Sequence, residues 1–175
     1  SYVNFDAGWH KISGEKRKEL CDYYHDKGMK TGIYLSPFAF FQSDEYIGAE
    51  IPGAPGHVYE EILLKDRQGN LLPRVDGAIP LDVTHPVWKQ QVQKTLEEFV
   101  RQGFDYVKLD FLSHGGMEGA HYDRECMTGR QALMKGYEFL AEQLSEEKAG
   151  RPVFLSLSIA PLFPPGNGTC PEIFL

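Results

Sequence analysis

Short apolar runs that alternate with helix-length amphipathic segments constrain this 175-residue chain more than any other feature. Residues 2–6, 31–36, 79–82, 106–111 and 152–159 read as strands. Residues 15–27, about 86–102 and about 130–145 carry apolar positions at helical spacing and end near Gly28, Gly103 and Ser145. Strands separated by such helices make βα units and a parallel sheet covered by helices and buried on its other face too, either an open doubly wound sheet or a (β/α)8 barrel. No GxGxxG or GxxxxGK[ST] follows any strand, which weighs against a nucleotide-binding open sheet. Polar residues instead finish the strands at their C-terminal ends: Asp6, Ser36, Asp82, Asp110 and Ser158. That pattern belongs to the active-site rim of a barrel. A whole (β/α)8 barrel needs roughly 250 residues. The expectation is therefore an α/β fold, a partial (β/α)8 TIM-type barrel of about five units. Residues 1–175 would form the N-terminal to central part of one catalytic barrel domain, with a long insertion at about 38–78.

Within that frame the segment FDYVKLDF, residues 104–111, carries the chemistry. Lys108 and Asp110 are two apart, so on a strand they share a face while Val107, Leu109 and Phe111 take the other. Two charges on one face of an apolar strand are costly unless they pair with each other or with a polar ligand. A neighbouring ammonium keeps a carboxylate ionised, which suits Asp110 to nucleophilic work better than to proton donation. A structural Lys–Asp pair at a strand end is the plainer alternative.

Composition narrows the function classes. The formal charge is −7 with no basic cluster, which argues against nucleic acid and anionic membrane surfaces as partners. No apolar run approaches the roughly 18 residues of a membrane span. Cys21, Cys126 and Cys170 are far apart and form no CxxC, so neither a structural zinc nor a disulfide framework is indicated. In the insertion, Asp66-Arg67-Gln68-Gly69-Asn70 between apolar residues marks a hairpin turn. Asp82 or Thr84 is placed to cap the helix that begins near Pro86.

Five segments in order, DAGW, GIYLSPF, LDVTHP, FDYVKLDF and LSIAPLFP, resemble the alpha-galactosidase-like glycoside hydrolases. These are the melibiase clan of families 27 and 36, with the family 36 branch nearest. The resemblance implies a (β/α)8 barrel that hydrolyses terminal alpha-linked galactose with retention through a covalent glycosyl-aspartate, with no cofactor and no metal. The implied partner is an alpha-galactoside or related oligosaccharide. It assigns Asp110 as the nucleophile, Lys108 and Asp6 as contacts to sugar hydroxyls, and Trp9 to the pocket wall. The family's first-strand acid pair is broken here by Ala7, which loosens the inference to galactose. The family's general acid/base lies beyond the stretch matching LSIAPLFP, and no residue of this chain matches it. The isolated chain is accordingly expected to be weakly active or inactive.

The residues themselves add further candidates. Ser156 and Ser158 share a strand face and could hydrogen-bond a sugar or equally serve as small filler. Trp9 could stack on a pyranose or plug the barrel mouth. Phe38, Phe40 and Phe41 could wall a pocket, but packing under the insertion is the favoured reading. Asp82 and Asp6 are the carboxyls on hand for acid catalysis. Two rival functions stand beside hydrolysis: a catalytically silent carbohydrate-binding barrel, and a metal-dependent hydrolase using Asp82 with His85, or Asp110 with His114 and His121. Open sheet edges leave oligomerisation a possible outcome.

Overall fold

The computed structural model describes residues 1–161. Cys170 and the end of the LSIAPLFP stretch lie outside them. Strand β1 (Tyr2–Phe5) leads through a short 3-10 turn at Trp9–Lys11 into α1 (Gly14–His25), and the chain returns as β2 (Lys30–Leu35). A long excursion follows, with β3 (Ala39–Phe40), α2 (Tyr59–Ile62) and β4 (Ile79–Pro80). Helix α3 (Pro86–Gln102) then leads to β5 (Tyr106–Leu109), and α4 (Gly129–Gln143) with the short α5 (Glu146–Ala149) leads to β6 (Phe154–Leu157). The parallel sheet has the order β1-β2-β5-β6, and helices alternate with its strands. This is the expected partial TIM-type barrel.

One strand departs from the expectation. The 79–82 segment does not enter the barrel sheet; its β4 pairs antiparallel with β3, Ala39 opposite Pro80 and Phe40 opposite Ile79, and β2 pairs directly with β5. The sheet thus holds four parallel strands rather than five. The physical reason is Pro80, which has no N–H to give and cannot occupy a central ladder. The excursion accordingly runs from the end of β2 to the start of α3. Inside it the foreseen hairpin forms: Asp66 N–H donates to Asn70 O at 2.8 Å, and the Asp66 carboxylate accepts from the N–H groups of Gln68 and Asn70.

The helices start where their side chains can satisfy free N–H groups. The Ser13 hydroxyl accepts from Lys16 N–H before α1, and Thr128 and Gln131 form a reciprocal box before α4. At α3 the cap is neither Asp82 nor Thr84. His85 Nδ1 accepts from Val87 N–H at 3.2 Å, with Pro86 in the first turn. Asp82 and Thr84 bind each other and the loop after β5 instead.

Alternation divides the sheet as the pleat requires. Ile33, Val107 and Leu109 are all but inaccessible and pack with Trp88, Leu96, Phe99, Leu133 and Leu140 of α3 and α4. Burial of each such side chain contributes about 1.5–3 kcal/mol. Phe38 joins this core, Phe40 packs with Leu63 and Ile79 under the excursion, and Phe41 stays 43% exposed. Cys21 is fully buried on the inner face of α1.

Candidate active site

The other face of the sheet carries the polar residues in layers. Register pairs Tyr34 of β2 with Lys108 of β5, and Lys108 with Ser156 of β6. One step beyond the printed strand, Asp110 N–H donates to Leu35 O at 2.9 Å, so the ladder continues and Asp110 stays on the face of Lys108. Ser158 N–H donates to Leu109 O at 2.8 Å, which keeps the end of β6 in step. Asp6 follows β1 directly.

Three of these side chains meet. Lys108 Nζ lies 3.5 Å from Asp6 Oδ2 and 3.7 Å from Asp110 Oδ2, so one ammonium bridges two carboxylates across the strand ends. The same ammonium sits 5.3 Å from the centre of the Tyr34 ring, within cation–π range. Asp110 is nearly enclosed, its side chain 13% accessible, and its Oδ1 accepts the N–H of Phe111 at 2.9 Å. Asp6 is more open at 60%; Ala7 N–H donates to its Oδ1 at 2.8 Å and Asn4 Nδ2 to its Oδ2 at 3.4 Å. Phe111 takes a left-handed backbone, φ 54°, turning the chain sharply after the carboxylate. Burial pushes the Tyr34 phenol up, a hydrogen bond with Ser36 opposes that, and the charges of Asp110 and Asp6 push it further.

Beside this cluster lies a cavity of about 720 Å³, between the end of β2, the excursion and α3. Tyr34, Ser36 and Phe111 belong to its wall; Asp6, Lys108 and Asp110 do not. Trp9 lines it too, but its ring meets Phe99 edge-to-face at 5.1 Å and the Arg17 guanidinium at 4.9 Å. It packs toward α1 and α3, while the ammonium's aromatic neighbour is Tyr34. Sequence reasoning missed Tyr34, although its place two residues before Ser36 and two after Gly32 puts it on the polar face.

The two carboxyls considered for acid catalysis have different partners: Asp6 shares Lys108 with Asp110, and Asp82 binds Thr84 and Tyr122. Burial alone would raise the Asp82 pKa; the His121 ring 3.4 Å away and hydrogen bonds from Thr84 and Tyr122 outweigh it and hold the carboxyl below its ordinary value. Asp82 is thus kept ionised, as a tie between the excursion and the loop after β5. The metal ligand sets do not assemble either. His85 caps α3, His114 Nε2 donates to Val75 O at 2.9 Å, and His121 pairs with Asp82 at 3.4 Å. Among the described residues no group of three or more His, Cys, Asp or Glu converges to hold a metal.

No protein-family model matches the chain, and no curated protein matches it. Solved structures do. The alpha-galactosidase from Thermus thermophilus, in complex with p-nitrophenyl alpha-D-galactopyranoside, is 18% identical with a TM-score of 0.66, over 93% of this chain and 32% of that one. The GH36 alpha-galactosidase AgaA from Geobacillus stearothermophilus is 15% identical with a TM-score of 0.61, over 90% and 23%. The glycoside hydrolase domain of PelA from Pseudomonas aeruginosa is 20% identical with a TM-score of 0.60, over 90% and 51%. The fold is therefore that of the alpha-galactosidase-like glycoside hydrolases. The chain spans about a third or less of these alpha-galactosidases and half of the PelA domain.

Proposed function

We propose that this chain is the N-terminal to central part of a single catalytic barrel domain, and that it supplies the nucleophile of a retaining glycosidase acting on terminal alpha-linked galactose. The observation that carries the reading is the Asp6–Lys108–Asp110 row, which reaches across β2 to join the C-terminal ends of the parallel strands β1 and β5. Asp110 attacks the anomeric carbon and the bond to the leaving group breaks; water later cleaves the glycosyl ester. Lys108 keeps Asp110 ionised and, with Asp6, binds sugar hydroxyls; the Ser158 hydroxyl offers a further hydrogen bond. The substrate is an alpha-galactoside or related oligosaccharide, and no metal takes part. Fold likeness to alpha-galactosidases supports the substrate class by analogy only.

Retaining hydrolysis also needs a protonated carboxyl about 5–5.5 Å from the nucleophile. Asp82 is held ionised by its hydrogen bonds with Thr84 and Tyr122, and Asp6 is tied to Lys108, so neither supports that role. The test separates the two steps by leaving group. Alpha-D-galactosyl fluoride needs little proton assistance to expel fluoride. The chain should release fluoride from it, leave methyl alpha-galactoside essentially untouched, and lose fluoride release on Asp110→Asn. Fluoride release unchanged in Asp110→Asn would overturn the assignment.

A further inference from the structure

Arg17, near the start of α1, is only 5% exposed. Burying a guanidinium is costly unless the charge is paired and its donors find acceptors. Here Nη2 donates to Glu98 Oε1 at 2.5 Å and Nε to Gln102 Oε1 at 3.0 Å, both on α3. Nη1 donates to Ile12 O at 2.6 Å and, more loosely, to Trp9 O at 3.5 Å. Gln102 Nε2 also donates to Glu98 Oε1 at 2.6 Å, which closes the set on α3. Gly14 permits this close approach: a β-carbon there would stand 3.0 Å from Gln102 Nε2 and 3.1 Å from Glu98 Oε1.

What Arg17 grips is the short span of residues 6–12 between β1 and α1. In it Gly8 takes a left-handed backbone, φ 98°, and the N–H groups of Lys11 and Ile12 close a 3-10 turn on Gly8 O and Trp9 O. The guanidinium also faces the Trp9 ring, so it holds this turn by two carbonyls and a side chain. Asp6, one of the two carboxylates on Lys108, opens the same span. With 60% of its side chain accessible, Asp6 is not fixed by packing. Its ties are to Asn4, to Lys108 and to Ala7 N–H, and the last belongs to the span itself. Where Asp6 stands against Lys108 therefore depends on where the span is anchored, and the anchor is Arg17.

We propose that Arg17 is a positioning residue for the site: through the Trp9–Ile12 turn it sets Asp6 against Lys108, and with it the grip on the sugar. The inference rests on the reading that Asp6 contacts a sugar hydroxyl. A rigid planar fork suits the task, because its donors meet acceptors on α3 and on the turn at once. An ammonium on a flexible stem has no such fixed spread. Glu98 and Gln102 aim the fork, so α3 takes part in placing a carboxylate that lies at the end of β1.

Arg17→Lys keeps the charge and gives up the fork. In the purified chain it should lower kcat/KM for fluoride release from alpha-galactosyl fluoride about tenfold, a fraction of the roughly hundredfold that an ångström of misplacement can cost. Galactose binding, followed by calorimetry, should weaken in parallel. In an Asp6→Ala background the same substitution should change kcat/KM by less than about twofold, since the group it positions is gone. Its effect on Tm should be equal in both backgrounds. Equal losses of kcat/KM in the two backgrounds would make Arg17 a stability residue and overturn the inference, as would wild-type kinetics in Arg17→Lys. Should that variant not fold, Glu98→Ala, at the more open end of the network with 37% of its side chain accessible, carries the same comparison with a smaller loss. Asp110→Asn keeps the two readings apart. If it leaves fluoride release unchanged while the Arg17 effect still requires Asp6, the nucleophile assignment fails and the positioning role stands. A chain that neither releases fluoride nor binds galactose overturns both.

Discussion

Tyr106 lays its ring across Gly32 in the neighbouring strand, so closely that a β-carbon on Gly32 would overlap the ring atoms. The phenol occupies the space that a side chain on β2 would fill, one layer below Lys108. Tyr2, which lies opposite Lys30 one layer further down, meets Tyr106 edge-to-face at 5.5 Å. Gly32→Ala should therefore destabilise the fold by about 1–3 kcal/mol, the usual cost of overpacking. Urea unfolding would show a lower midpoint with an unchanged slope. In a Tyr106→Ala background the same Gly32 substitution should cost far less, and equal costs in both backgrounds would contradict the account.

Much of this arrangement was legible in the sequence. The two-residue spacing of Lys108 and Asp110 fixed a shared face, and the burial of Val107 and Leu109 bears that out. The turn at Asp66–Asn70 and the helix that stops at Gly103 followed from local chemistry. What failed was long-range. Residues 79–82 have strand-like composition, and only the missing N–H of Pro80 told against a central position. The cap at α3 is His85 rather than Asp82 or Thr84, and a ring nitrogen accepts there only when neutral. Ligand sets drawn from His114 and His121 dissolved because each ring is claimed by the excursion.

The cap at α3 makes stability sensitive to mild acid. Burial lowers the His85 pKa, against the opposing charges of Asp82 and Glu61, and the neutral ring is also the form that can accept from Val87 N–H. With the folded pKa below the unfolded one, this contribution is complete above the unfolded value of about 6.5 and is lost as the pH falls from there through the lower folded pKa. Asn caps helices well and does not titrate. His85→Asn should therefore hold its Tm between about pH 7 and pH 5 better than the wild type does. Parallel curves would show that His85 is not the titrating group.

Asp82 acts in a lower window. Its carboxylate accepts from Thr84 N–H at 3.0 Å, Thr84 Oγ1 at 2.7 Å and Tyr122 N–H at 2.6 Å, and it pairs with His121. Because its folded pKa is depressed, its contribution is present above about pH 3.9 and disappears as the pH drops below that value. Asp82→Ala strands those donors and should cost about 3–5 kcal/mol. Asp82→Asn keeps an acceptor and should cost less. Hydrogen exchange should rise first at Tyr122 and Asp123, whose N–H groups Asp82 and Thr84 hold. Loss of stability without that local opening would mean the network does not tie the two segments together.

Lys108 carries the last prediction, because it has two duties that substitutions can separate. It spans Asp6 and Asp110, and it rests against the Tyr34 ring. Lys108→Met keeps much of the stem and its contact with Tyr34 but leaves two carboxylates facing each other without a counter-charge. Fluoride release from alpha-galactosyl fluoride should fall on the order of 10²-fold, as when one positioned charge or donor is removed from a site. The fold should survive, since the side chain is 29% accessible and its charge reaches solvent. Lys108→Arg restores the charge in a planar fork of different reach, so it should recover only part of the rate. Full activity in Lys108→Met would mean that the ammonium is a structural link between strand ends, with no part in holding Asp110 ready to attack.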